Sequence, residues 1–166
     1  MPLIKILPRV LVAAILALLT AASPAQNGNG LPYGEDFAAI AQQARERRAP
    51  IMIAFTQATC PYCWIARRDH LVPMHVSAAL RDRVIIREIE VDSSRRLRDF
   101  EGRTVTQKEF SRRYQVERVP TVIVVDGRGE LLAQPIVGLL ADDFYRLYLQ
   151  QAIEAGLHKL RTGGAK

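Results

Sequence analysis

The chain has 166 residues, 49% of them hydrophobic and 24% charged, with a formal net charge of +6. That length supports one domain with a real core but not comfortably two, and the composition excludes a disordered chain. The arginine-rich pieces (Arg45-Glu46-Arg47-Arg48, Arg95-Arg96, Arg112-Arg113) are interleaved with acids and fall at helical spacings, so they read as solvated faces and no nucleic-acid partner is expected.

Lys5 and Arg9 precede an apolar run from Val10 to Leu19, and Ser23-Pro24-Ala25 supplies small residues for cleavage. A membrane span needs roughly 20 apolar residues, and this run is shorter and bounded by prolines. It reads as a secretory signal over residues 1–25 and predicts an exported protein; an uncleaved N-terminal anchor is the alternative. Asn27-Gly28-Asn29-Gly30 begins a flexible leader over residues 26–34. One domain is expected over 35–157, with a loose tail over 158–166.

Asp36 to Arg48 predicts an amphipathic helix, with Phe37, Ile40, Ala41 and Ala44 on one face. Ile51-Met52-Ile53-Ala54-Phe55 is a continuous apolar run, the mark of a strand buried on both faces. A helix is expected from Pro61 to about Leu71, broken at Pro73, with a further helical turn or two over Val76–Asp82. Val84 to Val91 predicts a second strand, Ser93 to Thr106 an extended polar connection, and Gln107 to Tyr114 a short helix. Pro120 to Val125 predicts a third strand, Asp126-Gly127-Arg128-Gly129 a hairpin turn, and Glu130 to Val137 the returning strand. A closing helix runs from Asp142 to Ala155, with Gly156 as its stop. This order gives an α/β fold in which a central mixed sheet is covered by helices on both faces.

The only two cysteines, Cys60 and Cys63, stand in Thr59-Cys60-Pro61-Tyr62-Cys63, between the first strand and the next helix. A bridge three positions apart closes too small a loop to constrain the unfolded chain much, so stapling explains it poorly. Proline favours the first helical position, which puts Cys60 at the cap. The unpaired N–H groups and partial positive charge there favour a thiolate, the species that attacks. Cys63, one turn further in, is placed to resolve a mixed disulfide formed on Cys60. A zinc site would have to recruit His70 and His75, and His70 lies roughly 15 Å along the helix from Cys60, so no metal is expected. His70, His75 and His158 are read as having no chemical task. Arg67 and Arg68 add positive charge nearby. Val119-Pro120-Thr121 heads a strand, and a cis peptide at Pro120 is expected beside the redox motif. The Val119 backbone N–H and C=O would then pair with an extended substrate.

Ile51 to Cys63, Ile89-Glu90-Val91-Asp92, Tyr114 to Thr121 and the Asp126–Leu131 hairpin together resemble the thioredoxin superfamily. The polar connection before Thr106-Gln107-Lys108-Glu109 resembles exported, periplasmic thioredoxin-like proteins, including those associated with sulfur oxidation. The resemblance implies a thioredoxin-like fold with a central sheet of four to five strands. It also implies catalytic Cys60, resolving Cys63, and substrate contacts at Val119, Pro120 and Thr121. Expected partners are protein thiols or disulfides and a membrane electron-transfer donor or acceptor; no cofactor is expected, and the chain is expected to be monomeric. Reduction is the favoured direction, with a disulfide-forming oxidant or a redox-inert binding module as alternatives.

Three features depart from the thioredoxin pattern. Ala54 stands where a buried aspartate is usual, and Glu88 on the neighbouring strand is the candidate proton acceptor for Cys63 in its place. The motif dipeptide is Pro61-Tyr62, which is glutaredoxin-like. Thr56 occupies a usual tryptophan position, and the one tryptophan, Trp64, follows Cys63 and is expected to be a packing residue.

Overall fold

A computed structural model describes residues 30–139 and 142–163; the expected signal over 1–25 lies outside them. Helix α1 (Phe37–Arg47) starts at Asp36, whose carboxylate accepts the Ala39 N–H at 2.9 Å, and ends at Arg48 in the left-handed conformation. Strand β1 (Ile51–Thr56) follows, buried at every position. Helix α2 (Pro61–Ile65), a π-helical segment (Ala66–Leu71) and helix α3 (Val72–Val76) then run on without a break. Strand β2 (Ile85–Glu90), the small strands β3 (Arg96–Arg98) and β4 (Thr104–Thr106), and helix α4 (Gln107–Arg113) come next. Strands β5 (Thr121–Val125) and β6 (Ile136–Val137) precede the long helix α5 (Asp142–Thr162).

Among the described residues the main sheet has four strands in the order β2-β1-β5-β6. β1 pairs parallel with β2 and antiparallel with β5, and β5 pairs antiparallel with β6. Side chains alternate across the pleat, so the apolar run of β1 feeds two cores. Met52 and Ala54 pack with Ile86, Val122 and Val124 beneath Ala66, Leu71, Tyr145 and Leu149. Ile51, Ile53 and Phe55 pack on the other face with Phe37, Ile40, Leu97 and Phe110. The fold is the mixed sheet between helices that the resemblance implies.

Several expectations need correction. Pro73 does not break the helix. It lacks an N–H and its ring would strike the Asp69 carbonyl four residues back, and the widened π-helical segment takes up the misfit. There the Val72 N–H bonds the Arg67 carbonyl, and the Asp69 carbonyl instead accepts Arg146 Nη2 from α5 at 3.1 Å. Ser93–Thr106 is not merely extended: β3 and β4 form a hairpin that buries Leu97. The returning strand shrinks to a Val125–Leu131 bridge and the two residues of β6.

Residues 30–34 and 158–162 also form more structure than expected. Leu31 of the supposed leader is 2% exposed, and Tyr33 bridges Glu88 on the outer edge of β2. The Glu88 N–H donates to the Pro32 carbonyl at 2.9 Å, so this segment covers an edge that would otherwise be unpaired. Gly156 is not a stop but an interior residue of α5, which continues over Leu157 into the expected tail. A Cβ on Gly156 would lie 3.1 Å from Val124 Cγ1 and 3.2 Å from Pro50 Cβ, so glycine lets the helix approach the sheet.

The β3–β4 hairpin turns on Asp99, which is fully buried. Its Oδ1 accepts the Arg103 and Glu101 N–H groups, and its Oδ2 accepts Arg103 Nε at 3.0 Å and Arg113 Nη1 at 2.6 Å. Burial alone would raise this carboxyl, but the hydrogen bonds from Arg113 and Arg103 outweigh it and hold it at about 2. A depressed folded-state carboxyl adds stability that is complete above the unfolded value near 4 and is lost as pH falls toward 2. Asp99→Asn should therefore cost roughly 2 kcal/mol at neutral pH, by the conversion of about 1.4 kcal/mol per tenfold. Urea titrations of both proteins should show that gap closing between about pH 4 and pH 2.

Candidate active site

β1 and β5 are antiparallel, with Phe55 opposite Thr121. The residues leaving β1 and those entering β5 therefore meet at one end of the sheet. Cys60 follows β1 and Val119-Pro120 precedes β5, which is how residues 59 positions apart come together. The Val119–Pro120 peptide is cis, as expected. Cys60 Sγ lies 3.9 Å from the Val119 carbonyl oxygen, within reach of an S–H donor. Pro120 is buried and its carbonyl accepts the Gly138 N–H at 2.7 Å, tying this turn to the end of β6. Thr121 Oγ1 donates to the Arg118 carbonyl at 2.8 Å, across the bend.

Cys60 is the N-cap of α2, with Pro61 opening the helix. Its sulfur accepts the Cys63 backbone N–H at 3.2 Å, one of the donors a helix start leaves unpaired. Cys60 is partly exposed, whereas Cys63 is 1% exposed; both are free thiols. Burial and the Cys60 sulfur push the Cys63 thiol up to about 12, against opposing effects of the Gln57 backbone and the Arg67 charge. The pair thus has an accessible outer sulfur and a sheltered inner one.

Tyr62 is 63% exposed at the rim. Trp64, expected as a packing residue, is 53% exposed and packs against the Arg68 guanidinium, 4.0 Å above its ring. His70 is buried with its ring edge-on to Tyr145 at 5.1 Å.

Glu88 stands opposite Ala54 in the β1–β2 register, on the face covered by the C-x-x-C helix. It is 2% exposed. Thr56 Oγ1 donates to its Oε1 at 2.6 Å, Arg67 Nε donates to the same oxygen at 2.9 Å, and Arg67 Nη2 closes an ion pair. The sequence reading singled out Glu88 but missed both tethers. In the sequence Thr56 is only a departure from a tryptophan and Arg67 only a nearby charge. The Thr56 tether depends on the parallel register, which sets Thr56 beside Glu90 and Ala54 beside Glu88, and the Arg67 tether on the way the following helix faces. A cavity of about 450 Å³ opens beside the ion pair, lined by Tyr33, Glu35, Arg67, Glu88 and Arg95.

A C-x-x-C pair capping a helix, set against a cis-proline turn on a helix-covered mixed sheet, defines the thioredoxin fold class. The sequence pattern of the thioredoxin-like domain matches residues 37–153, most of the chain. The chain belongs to the thioredoxin superfamily. Among solved structures it is similar to Trxlp from Edwardsiella tarda, at 21% identity and a TM-score of 0.50, covering 71% of this chain and 95% of that one. It is also similar to Fasciola hepatica thioredoxin, at 16% identity and a TM-score of 0.49, covering 75% and 97%. Mitochondrial thioredoxin 3 from Saccharomyces cerevisiae gives 17% identity and a TM-score of 0.48, covering 75% and 93%. At such identities the likeness concerns the fold alone. No curated protein matches the sequence.

Proposed function

We propose that this protein is a thiol–disulfide oxidoreductase that exchanges its Cys60–Cys63 dithiol with the disulfides of protein substrates after export from the cytoplasm, with reduction favoured over oxidation. The observation that carries this reading is the asymmetry of the pair: Cys60 accessible at a helix cap and receiving an N–H at 3.2 Å, Cys63 buried one turn behind it. The Cys60 thiolate attacks a substrate disulfide, and one substrate sulfur leaves as a thiolate. Cys63 then attacks Cys60, releasing the second substrate thiol and leaving the Cys60–Cys63 disulfide. Val119, at the cis-proline turn, offers backbone groups to an extended substrate segment. A membrane electron-transfer partner regenerates the dithiol, and the export step rests on the basic and apolar character of residues 1–25.

Reduction of insulin by dithiothreitol should be accelerated by catalytic amounts of the protein, read as turbidity. Absence of turnover would leave only a redox-inert binding module. Equilibration in glutathione buffers then fixes direction. A potential near about −270 mV supports a reductant, whereas one near about −120 mV would make it a disulfide-forming oxidant.

A further inference from the structure

In the exchange reaction proposed above, on which this inference rests, Cys63 must lose a proton in a place that resists ionisation. It is 1% exposed, and burial together with Cys60 holds its thiol up at about 12. Of the two opposing influences the Gln57 backbone is the larger and the Arg67 charge the smaller, and only Arg67 is a side chain. Arg67 follows Cys63 by four positions, the spacing that makes side chains neighbours on a helix. A guanidinium keeps its charge throughout the working pH range.

The position of that charge is built in. The Arg67 side chain is 27% exposed, and its Nε and Nη2 both reach Oε1 of the nearly buried Glu88. The same oxygen accepts Thr56 Oγ1 at 2.6 Å, so the anchor is fixed from both β1 and β2. With three donors on one oxygen, Glu88 serves as a tether. A surface arginine with ordinary rotamer freedom would not hold such a position.

We infer that Arg67 is the positioning residue of the resolving step: tethered by Glu88 and Thr56, its guanidinium supplies the fixed positive charge beside which Cys63 ionises. In that step the Cys63 thiolate attacks Cys60, the Cys60–Cys63 bond forms, and the Cys60–substrate bond breaks. The electron pair leaves on the substrate sulfur, which takes up a proton to match the one Cys63 gave up. The other ionisable groups around Cys63 are Cys60 on its own helix and Tyr145 from α5 with His70 beyond it, while Glu88 from β2 lies behind Arg67. Burial and the charge of Cys63 raise the Tyr145 hydroxyl in turn, so it stays neutral and does not compete. Glu88→Gln keeps an amide oxygen that can accept from Thr56 and Arg67 but drops the charge that partly cancels Arg67, so Arg67→Gln and Glu88→Gln have opposite effects. Removing the Arg67 charge hinders Cys63, and removing the Glu88 charge helps it.

The test is the two-phase reaction of the reduced protein with 5,5′-dithiobis(2-nitrobenzoate). The first released thionitrobenzoate reports Cys60 and the second reports Cys63 displacing the mixed disulfide. Arg67→Gln should slow the second phase at neutral pH and move its rise to higher pH, because less of Cys63 is then thiolate at a given pH. Arg67→Lys should keep most of the rate, and Glu88→Gln should move the rise to lower pH. The inference is overturned if Arg67→Gln follows the wild-type profile, if lysine fails to rescue it, or if Glu88→Gln is slower at every pH. The last result would make Glu88 the proton acceptor. Should Arg67→Gln fail to fold, Thr56→Val, which removes one anchor of the tether and no charge, should move the rise to higher pH, and an unchanged profile overturns the inference. A wild-type protein with no second phase would instead refute the exchange reaction itself.

Discussion

Cys63→Ser is expected to halt the protein at the mixed disulfide, whereas Cys60→Ser should prevent the disulfide from forming. The difference follows from the site. Cys60 is partly exposed at the helix cap and Cys63 is buried behind it, so a substrate sulfur can meet only the outer thiol. With Cys63 gone, nothing one helical turn away can displace the substrate, and the intermediate accumulates. Mass spectrometry after mixing with oxidised glutathione should find a single glutathione adduct on Cys63→Ser and none on Cys60→Ser. Insulin turnover should drop by at least about a hundredfold in both variants, since each lacks one of the two bond-making steps. In Cys60→Ser the remaining thiol is buried, and iodoacetamide should label it far more slowly than it labels Cys60 in Cys63→Ser. An adduct on Cys60→Ser at the wild-type rate would reverse the assignment of the two sulfurs.

The parts of this site that were legible in the sequence are those written in consecutive residues. Pro61 after Cys60 marks a helix cap, and the apolar run Ile51–Phe55, short and bounded by Pro50 on one side, fits the strand between two cores that it forms. Pro120 at the head of a strand was readable for the same reason. Whatever depends on a distant partner was not. Glu88 could be chosen because it neighbours the Ala54 strand, but its Thr56 and Arg67 tethers depend on the strand register and on which way a helix faces. Pro73 suggests a break only if the helix must stay α-helical; widening, with Arg146 taking the freed Asp69 carbonyl, is a tertiary solution. Gly156 looks like a stop because the contact it permits, with Val124 and Pro50, lies far away in sequence. Leu31 looked like leader because what buries it is the open edge of β2.

The largest loss of stability is expected from Phe110→Ala, on the side of the sheet away from the cysteines. Phe110 is 1% exposed and sits at the centre of an aromatic cluster. Its ring centroid is 4.5 Å from that of Phe37, nearly parallel, and 5.4 Å from Tyr114, with Phe100 at 6.1 Å and Phe55 at 6.4 Å. These rings come from α1, β1 and the β3–β4 hairpin as well as α4, so no single element can move in to fill the space. Truncation should cost about 3–5 kcal/mol in transfer and cavity terms together, out of a typical 5–15 kcal/mol for a domain. The melting temperature should fall by roughly 10–15 °C. Phe144→Ala is the control: that ring is 55% exposed, and its loss should stay within about 0.5 kcal/mol. The C-x-x-C helix rests on the other core, through Ala66 and Leu71. Below its lowered melting point, Phe110→Ala should therefore reduce insulin at close to the wild-type rate. Equal melting temperatures for the two alanine variants would mean that the aromatic cluster does not hold this face together.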